Sequence, residues 1–304
     1  MGNVGAIFRW ALWAPNENAL GMLSHSIGTF QRFFGAPSDY IVFTDDVAAM
    51  KAGLQVDAVV LDMNEGRPEY IDEQWRWNRW HKWAPRFRYD PGRTEIHVDA
   101  DLFLVNTPTE LLEFVNGDRH DYIVTMEDFP IKPRWVYGRF GDLLPEDFQP
   151  INTGLVGQRA GCDLTDEIRQ AYTWLTEQRG AEQMDFFDEQ GTLAHVLQSH
   201  FESGRAVALD PARYALVSPI NDPPVVSLDG LAAIHATFPE RPAYWQFIKE
   251  ISAISGVPVP DPLPANRVVF EADEGLDSDG LVDKNRAALI AARQQVEEAG
   301  RRSP

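Results

Sequence analysis

The amino-acid sequence predicts an α/β fold in which a mixed, mostly parallel sheet is flanked by helices. Apolar runs of strand length alternate with stretches whose apolar residues recur at helical spacing, and several of the runs end in acidic residues. The chain has 304 residues, of which 44% are hydrophobic and 24% charged, enough for one large domain with a substantial core.

The first half of the chain supplies the alternation most clearly. Residues 5–13 are typical of a buried strand, and residues 19–34 carry Leu20, Leu23, Ile27, Phe30 and Phe34 at helical spacing. Two further strands are predicted at 39–46 and 56–62, with a helix-compatible stretch between them. In such sheets ligands bind beyond the carboxyl ends of the strands, where the acidic residues of this chain occur.

The second half continues the pattern. A helix is predicted over 107–117, with Thr107 or Thr109 near its N-cap and Gly117 after its end. Further strands are expected at 121–128 and 151–158, further helices over 163–180 and from 187, and a terminal amphipathic helix at 282–302 after the Pro-rich segment 258–267. The predicted division is 1–105, 106–256 and 257–304, of which the first two form halves of one domain.

The net charge limits the kinds of partner that the sequence predicts, and the cysteine content indicates the compartment. A formal net charge of -19 disfavours generic attraction to nucleic acid or to an anionic membrane. Cys162 is the single cysteine, so no intramolecular disulfide can form and a reducing compartment fits best. The N-terminus has no secretory leader pattern, and no stretch has the roughly 20 apolar residues of a membrane span, so we expect a cytoplasmic protein.

The stretch TEIHVDADLFLV places Asp99 and Asp101 between two apolar runs. Side chains two residues apart on a strand point to the same side, so both carboxylates can converge on one ion. Hard oxygen ligands at a strand end suit Mg²⁺ or Mn²⁺, which also bind phosphate oxygens. The alternative is a solvated turn with two helix-capping acids.

Three later motifs bear on that choice: Asn152 in PINTGLVGQ, Asp188, Glu189 and Gln190 in FFDEQGTLAHVL, and His235 with Arg241-Pro242 in IHATFPERPAYW. With these in order, the sequence resembles the glycogenin and galactinol synthase type of retaining glycosyltransferase, a family 8-like group with the GT-A fold. That family carries a D-x-D at a strand end, an N-S-G strand, a D-Q-G-x-L segment and a late His followed by G-x-x-K-P. The resemblance extends over roughly residues 5 to 250 and makes the 1–105 half the nucleotide-sugar-binding half and 106–256 the acceptor-binding half.

The resemblance implies a role for each motif. Asp99, Asp101 and His235 would bind Mn²⁺ (or Mg²⁺), and Arg241, with Lys82, would bind the diphosphate of a nucleotide sugar, a UDP-sugar. The residues lining the sugar and acceptor side would be Asn152, Asp188, Glu189 and Gln190. Asp45 or Asp46 would contact the uridine or ribose, and transfer would retain anomeric configuration.

The sequence also departs from the family. Phe238 stands where the family has glycine, Arg241 replaces a lysine, and either Asp188 or Glu189 could match the family's aspartate. Structural roles are the alternatives at several positions: a satisfied histidine at His235, first-turn helix acids at 188 and 189, and an Asx turn at Asn152.

The basic, tryptophan-rich stretch at 73–89 is an exception to the acidic balance. We expect a helix that packs its indoles (Trp77, Trp80 and Trp83) beneath the D-x-D strand. In one alternative Lys82 binds the diphosphate, and in another nucleic-acid bases stack on exposed tryptophans.

The predicted function is therefore metal-dependent transfer of a sugar from a nucleotide diphosphate to a hydroxyl acceptor. Its rivals are a sugar-phosphate nucleotidyltransferase and a catalytically inactive GT-A domain that acts as a binding or scaffold module. The acceptor is open among a glycan, a protein side chain and a lipid-linked glycan, with the charge disfavouring a modified base in DNA. A homodimer formed through the terminal helix is a further alternative.

Overall fold

We describe the protein from a computed structural model, which covers residues 5–36, 38–65, 79–83, 86–127, 136–179, 187–217, 225–237, 241–261 and 263. The predicted terminal helix, Trp77 and Phe238 lie outside the described residues. Among the described residues, no helix is both long enough and apolar enough to cross a bilayer.

Among the described residues, ten strands form two sheets. The strands are β1 (Ile7–Leu12), β2 (Asp39–Thr44), β3 (Val59–Asp62), β4 (Glu95–Val98), β5 (Leu102–Leu104), β6 (Tyr122–Met126), β7 (Ile151–Gln158), β8 (Ala206–Ala208), β9 (Tyr214–Val217) and β10 (Ala233–Ala236). The large sheet has the order β3-β2-β1-β4-β7-β6-β8, and the small sheet has the order β5-β10-β9. In the large sheet β7 runs antiparallel to both its neighbours while every other neighbouring pair is parallel, so the predicted mixed, mostly parallel sheet is confirmed.

The helices are α1 (Glu17–Phe34), α2 (Val47–Gly53), α3 (Thr109–Asn116), α4 (Thr165–Arg179), α5 (Asp188–Glu202), α6 (Pro242–Gln246) and α7 (Ile248–Ser255). Single 3₁₀ turns lie at Arg79–Trp83 and Gly138–Phe140. Thr107 and Thr109 both lie next to the N-cap of α3, as predicted, and Pro108 occupies the cap position itself without a side-chain hydrogen bond. Gly117 does end that helix.

Successive residues of a strand point to opposite faces of the large sheet, where they pack into two separate cores. Ile123 packs with α1 and α3, whereas its neighbours Tyr122 and Val124 pack with α4 and α5. The second core also receives Trp80 and Trp83, which are 1% exposed. The predicted packing of these two indoles is therefore confirmed, and base stacking on them loses its support. Within the stretch 73–89, Arg79–Trp83 forms a 3₁₀ helix, and residues 73–78 of the expected helix lie outside the described residues.

The parallel strands β1, β2, β4 and β6 all end at one edge of the large sheet. At this edge the chain leaves β4, turns through residues 99–101 and enters the small sheet as β5. The two aspartates consequently lie in the turn that joins the sheets rather than on a continuous strand, and the turn, not strand alternation, brings their carboxylates together.

Candidate metal and diphosphate site

Backbone hydrogen bonds hold the turn between β4 and β5 at both ends. The amide of Asp99 donates to the carbonyl of Gly154 in β7 (2.7 Å), and the amide of Ala236 in β10 donates to the carbonyl of Asp101 (2.8 Å). The amide of Leu102 closes the turn on the carbonyl of Asp99 (3.2 Å). The orientation of both carboxylates is therefore fixed by strands of both sheets.

Strand register brings His235 to this turn. β10 pairs antiparallel with β5 so that His235 is opposite Leu102, the residue after Asp101. Its Nε2 lies 3.0 Å from Asp101 Oδ1 and 3.8 Å from Asp99 Oδ2. One ligand atom from each of these three residues lies within 4.8 Å of the other two. Asp101 and His235 are buried and Asp99 is half-buried, so the cluster opens to solvent on the Asp99 side.

Asn152 determines which imidazole nitrogen faces the carboxylates. Its Oδ1 accepts the Gly154 amide (2.8 Å) and lies 3.1 Å from His235 Nδ1, while its Nδ2 donates to Glu127 Oε2 (3.0 Å). An oxygen at that position makes His235 Nδ1 the donor, so Nε2 meets the carboxylates with a proton or a cation between them. Such a second hydrogen bond commonly orients metal-binding histidines.

This donor set fits a divalent cation. Two carboxylates and an imidazole nitrogen provide hard oxygen and borderline nitrogen donors, a combination that suits Mn²⁺ better than Mg²⁺. The predicted ligands Asp99, Asp101 and His235 are thus brought together by the fold.

Two basic side chains flank the cluster on opposite sides. Arg241 Nε donates to Asp101 Oδ2 (2.8 Å), and Lys82 Nζ lies 3.5 Å from Asp99 Oδ1. Lys82 is almost fully buried and also donates to Thr153 Oγ1 (2.7 Å), whereas the Arg241 side chain is 40% exposed. Arg241 has a left-handed backbone (φ 46°) directly before Pro242, a strained conformation that non-glycine residues adopt mainly at functional sites.

The basic groups and histidines keep both carboxylates ionised. Burial alone would raise the pKa of Asp99, but Lys82 and the rings of His97 and His235 hold it well below its usual range. Burial opposes ionisation of Asp101 as well, yet Arg241 and His235 lower its pKa to about 2. Both are therefore available as anionic ligands at neutral pH.

A second set of polar side chains lies beside the cluster. Glu189 Oε1 accepts the indole N–H of Trp83 (2.7 Å), and its Oε2 lies 3.4 Å from Lys82 Nζ. Gln190 Oε1 accepts the amide of Thr153 (3.2 Å), and its Nε2 donates to Glu127 Oε2 (3.1 Å), which Asn152 also contacts. Asn152, Glu189 and Gln190 of the predicted sugar side are therefore connected to the ligand cluster through Lys82, Thr153 and His235.

Asp188 is placed differently. Both of its carboxylate oxygens accept from Arg139, one from the backbone amide (2.8 Å) and one from Nε (2.7 Å). Gly138 fits against it with φ 54°, where an added Cβ would lie 2.5 Å from Asp188 Oδ1. Asp188 is fully buried and anchors the Gly138–Phe140 turn to the start of α5.

Asp45 and Asp46 lie at the end of β2, on the same edge of the sheet. Asp45 accepts the amide of Ala14 in the loop after β1 (2.9 Å), and Asp46 caps α2 through the amide of Ala49 (2.9 Å). Both side chains are exposed.

A bulge in β7 positions the residues around Asn152. The ladder with β6 pairs Val124 with Val156 but Thr125 with Asn152, so the intervening residues leave the regular register. The Thr125 hydroxyl fills the gap, donating to the carbonyl of Asn152 (2.8 Å) and accepting the amide of Leu155 (3.3 Å). Bulges commonly redirect side chains near active sites, and this one directs Thr153 to Lys82.

The sequence reasoning missed Glu127, Thr153, His97 and Thr125. Glu127 follows β6, and the rule that acids cluster at the carboxyl ends of parallel strands would have found it. His97 is buried in β4, its Nε2 is 3.2 Å from Asp99 Oδ1, and burial lowers its pKa to about 4. No pattern in the sequence marks Thr153 or Thr125, because their roles depend on the bulge.

No protein-family model and no curated protein matches this sequence. Among solved structures, the galactosyltransferase LgtC in complex with donor and acceptor sugar analogs is 12% identical, with 84% of this chain and 98% of that chain covered and a TM-score of 0.48. Mouse xyloside xylosyltransferase 1 is 13% identical over 76% of this chain and 96% of that chain, with a TM-score of 0.44. The glycosyltransferase GlyE in Streptococcus pneumoniae is 11% identical over 94% and 64%, with a TM-score of 0.43. These similar structures are glycosyltransferases, and we base the functional assignment of this chain on the side chains of its own site.

Proposed function

We propose that this chain is a metal-dependent GT-A glycosyltransferase that moves a sugar from a nucleotide diphosphate, a UDP-sugar, to a hydroxyl acceptor. The observation that carries the proposal is the convergence of Asp99, Asp101 and His235 at the seam of two sheets, with Arg241 beside them. The choice of uridine and retention of configuration rest on the resemblance of the motifs to the glycogenin and galactinol synthase type.

Asp99, Asp101 and His235 hold the cation, with Mn²⁺ preferred over Mg²⁺ for the imidazole ligand. When bound, the cation supplies Lewis-acid stabilisation of charge on the departing diphosphate. Asn152 keeps the His235 ring oriented, because its Oδ1 accepts from Nδ1.

Arg241 binds the diphosphate. Its side chain is 40% exposed and contacts Asp101 through Nε, so its positive charge lies beside the cluster where a bound diphosphate would meet it. Lys82 is more deeply buried between Asp99 and Glu189, where it offsets the charge of both carboxylates. Its contribution to diphosphate binding is electrostatic.

Glu189, Gln190 and Asn152 face the transferred sugar, together with Glu127. Glu189 is the acid of the 188–189 pair that contacts Lys82, so we assign it, rather than Asp188, to the reacting centre. Asp188 supports the site by holding the Gly138–Phe140 turn through Arg139. Asp45 and Asp46 are assigned to the uridine and ribose because they follow the neighbouring strand at the same edge.

The test is release of nucleotide from a panel of nucleotide sugars in the presence of Mn²⁺ or EDTA. One donor should be slowly hydrolysed with Mn²⁺ and not with EDTA, and Asp101→Asn should lower the rate by roughly a thousandfold. Asp121→Asn, at the opposite end of β6, is the matched control and should leave the rate unchanged. If no donor is bound or hydrolysed with Mn²⁺, the proposed function is wrong.

A further inference from the structure

An open groove of about 610 Å³ lies between α4, α5 and the segment after the Gly138–Phe140 turn. Its rim carries Trp174, whose side chain is 41% exposed although large aromatic side chains are usually buried. The imidazole of His195, also exposed, lies parallel to the indole with ring centroids 5.9 Å apart. Phe140 is fully buried beneath them, 5.5 Å from the His195 ring.

This arrangement makes an aromatic surface with polar groups around it. The Trp174 and His195 rings are nearly parallel (12°), and the Phe140 ring lies beside both, 22° from His195 and 31° from Trp174. Glu167, Gln170 and Glu202 supply carboxylate and amide oxygens along the same groove. A flat ring surface packs against the C–H face of a sugar, and oxygens at its border accept hydrogen bonds from sugar hydroxyls.

The charge of the groove determines which classes of ligand it can bind. Of the described residues that line it, none is lysine or arginine, and two are glutamates. Phosphate-bearing ligands are therefore repelled, and so is a second copy of this chain, which carries a net charge of -19. A neutral oligosaccharide is not repelled in this way.

The groove is joined to the proposed transfer site by α5 and by the turn beside it. His195 follows Asp188 by seven residues, which is two helical turns on the same face and about 10 Å along the axis. Arg139, which pairs with Asp188, immediately precedes Phe140. The groove thus lies on the Asp188 face of α5, and a linear saccharide that continues along the helix would reach the end that carries Glu189 and Gln190, whose side chains leave the helix about 100° and 200° further around its axis.

We propose that this groove binds a neutral oligosaccharide, through stacking on Trp174 and His195, and so recruits a glycan acceptor for the transfer reaction. The statement that the bound glycan is the acceptor rests on the proposed function. Binding of the glycan itself does not, because the groove contains none of the metal or diphosphate ligands.

The experiment measures binding of neutral linear oligosaccharides, a tetra- to hexasaccharide series of glucose, galactose, xylose and N-acetylglucosamine, by calorimetry without nucleotide or metal. One series should bind the wild-type protein, and Trp174→Ala should weaken that binding roughly tenfold or more. Trp13→Ala is the matched control, since Trp13 is 39% exposed in the loop between β1 and α1, and should leave it unchanged. Donor hydrolysis without acceptor should be the same in wild type and Trp174→Ala.

Three results would overturn the inference: no oligosaccharide binds the wild type, Trp174→Ala binds as well as wild type, or both tryptophan variants lose binding equally. A change in oligomeric mass on Trp174→Ala would also overturn it, by showing that the groove is a contact between copies. Failure of glycan binding with intact metal-dependent donor hydrolysis rejects only the groove. Glycan binding without hydrolysis of any donor rejects the transferase and leaves the groove.

Discussion

Two carboxylate centres lie close together in this fold, and their surroundings differ. Asp188 is fully buried and has both oxygens taken by a single arginine, Arg139, on the adjacent turn. Asp99 and Asp101 instead share a histidine and two basic residues, each from a different element, and the Asp99 side chain remains 22% exposed.

Asp188 has the surroundings of a structural ion pair, whereas Asp99 and Asp101 have those of a candidate binding site. A fully buried carboxylate with both oxygens bound to one arginine is closed to solvent, and removing it breaks a buried ion pair. Two carboxylates that face each other repel, and they persist together only where cations offset them. The turn at 99–101 has that property, so its geometry favours a ligand that brings positive charge.

The largest effect on stability should come from Asp188→Asn. The free energy of unfolding should fall by about 3–5 kcal/mol, because the substitution breaks the buried Asp188–Arg139 ion pair. Asp99→Asn should change it by less than about 1 kcal/mol, since Lys82 keeps Glu189 and Thr153 as partners. Denaturant unfolding of both variants measures the contrast, and equal losses would contradict it.

Gly154→Ala should reduce the affinity for Mn²⁺ by roughly 10–100-fold. An added Cβ would lie 2.3 Å from His235 Cε1 and 2.9 Å from Asn152 Oδ1, so it must displace the ring or the amide that orients it. Titration followed by the electron paramagnetic resonance of free Mn²⁺ gives the affinity. Gly161→Ala is the control on the metal measurement, because no atom lies within 4 Å of its added Cβ, although its φ of 81° costs some stability.

Arg241→Ala should separate diphosphate binding from metal binding. Affinity for UDP should fall roughly tenfold, whereas affinity for Mn²⁺ should be unchanged or higher, because Asp101 Oδ2 loses its competing partner. Arg205→Ala, on an exposed arginine that pairs with Asp121, should alter neither affinity. Parallel loss of both affinities would show that Arg241 maintains the metal site instead.

The last prediction concerns the buried histidine His25, whose effect on stability appears only in acid. Burial lowers the pKa of His25 to about 4 from an ordinary value of 6.5. The unfolded chain therefore binds a proton that the folded chain does not, and His25 should lower the free energy of unfolding by about 2–3 kcal/mol as the pH falls from 6.5 to 4. Above pH 6.5 it has no effect.

Denaturant unfolding across this range should show a shallower pH slope in His25→Gln than in wild type. His120→Gln, on a half-buried histidine, is the control for the substitution itself and is measured alongside. His97, whose pKa is also about 4, contributes to both slopes and cancels in the comparison. An unchanged slope in His25→Gln would contradict the assignment.

Local patterns were sufficient for most of the fold. The strand–helix alternation placed β1 to β3, α1 and the strand at Ile151–Gln158 close to their actual bounds, because apolar periodicity is a local property. The residue at the cap of α3, Pro108, was not predictable in this way, because it makes no side-chain hydrogen bond that a capping pattern would mark.

The candidate site also has features that the sequence predicts and features that it does not. The grouping of Asp99, Asp101 and His235 was predictable because the order of the motifs resembles the glycogenin and galactinol synthase type, and the fold brings these three side chains together. The unequal roles of Asp188 and Glu189 were not, since adjacent residues on a helix point about 100° apart and only the tertiary contacts tell which faces the cluster. Arg139 and Thr153, the partners that distinguish them, carry no signal of their own.

The seam between the two sheets also bears on the order in which the molecule can be assembled. The large sheet is complete once Ala208 has been incorporated, but the third ligand, His235, arrives 134 residues after Asp101 in the sequence. Contacts of such long range close late, because loop-closure entropy must be overcome first. A growing chain can therefore form its large sheet before the proposed metal site exists. That site is completed only when β10 has paired with β5.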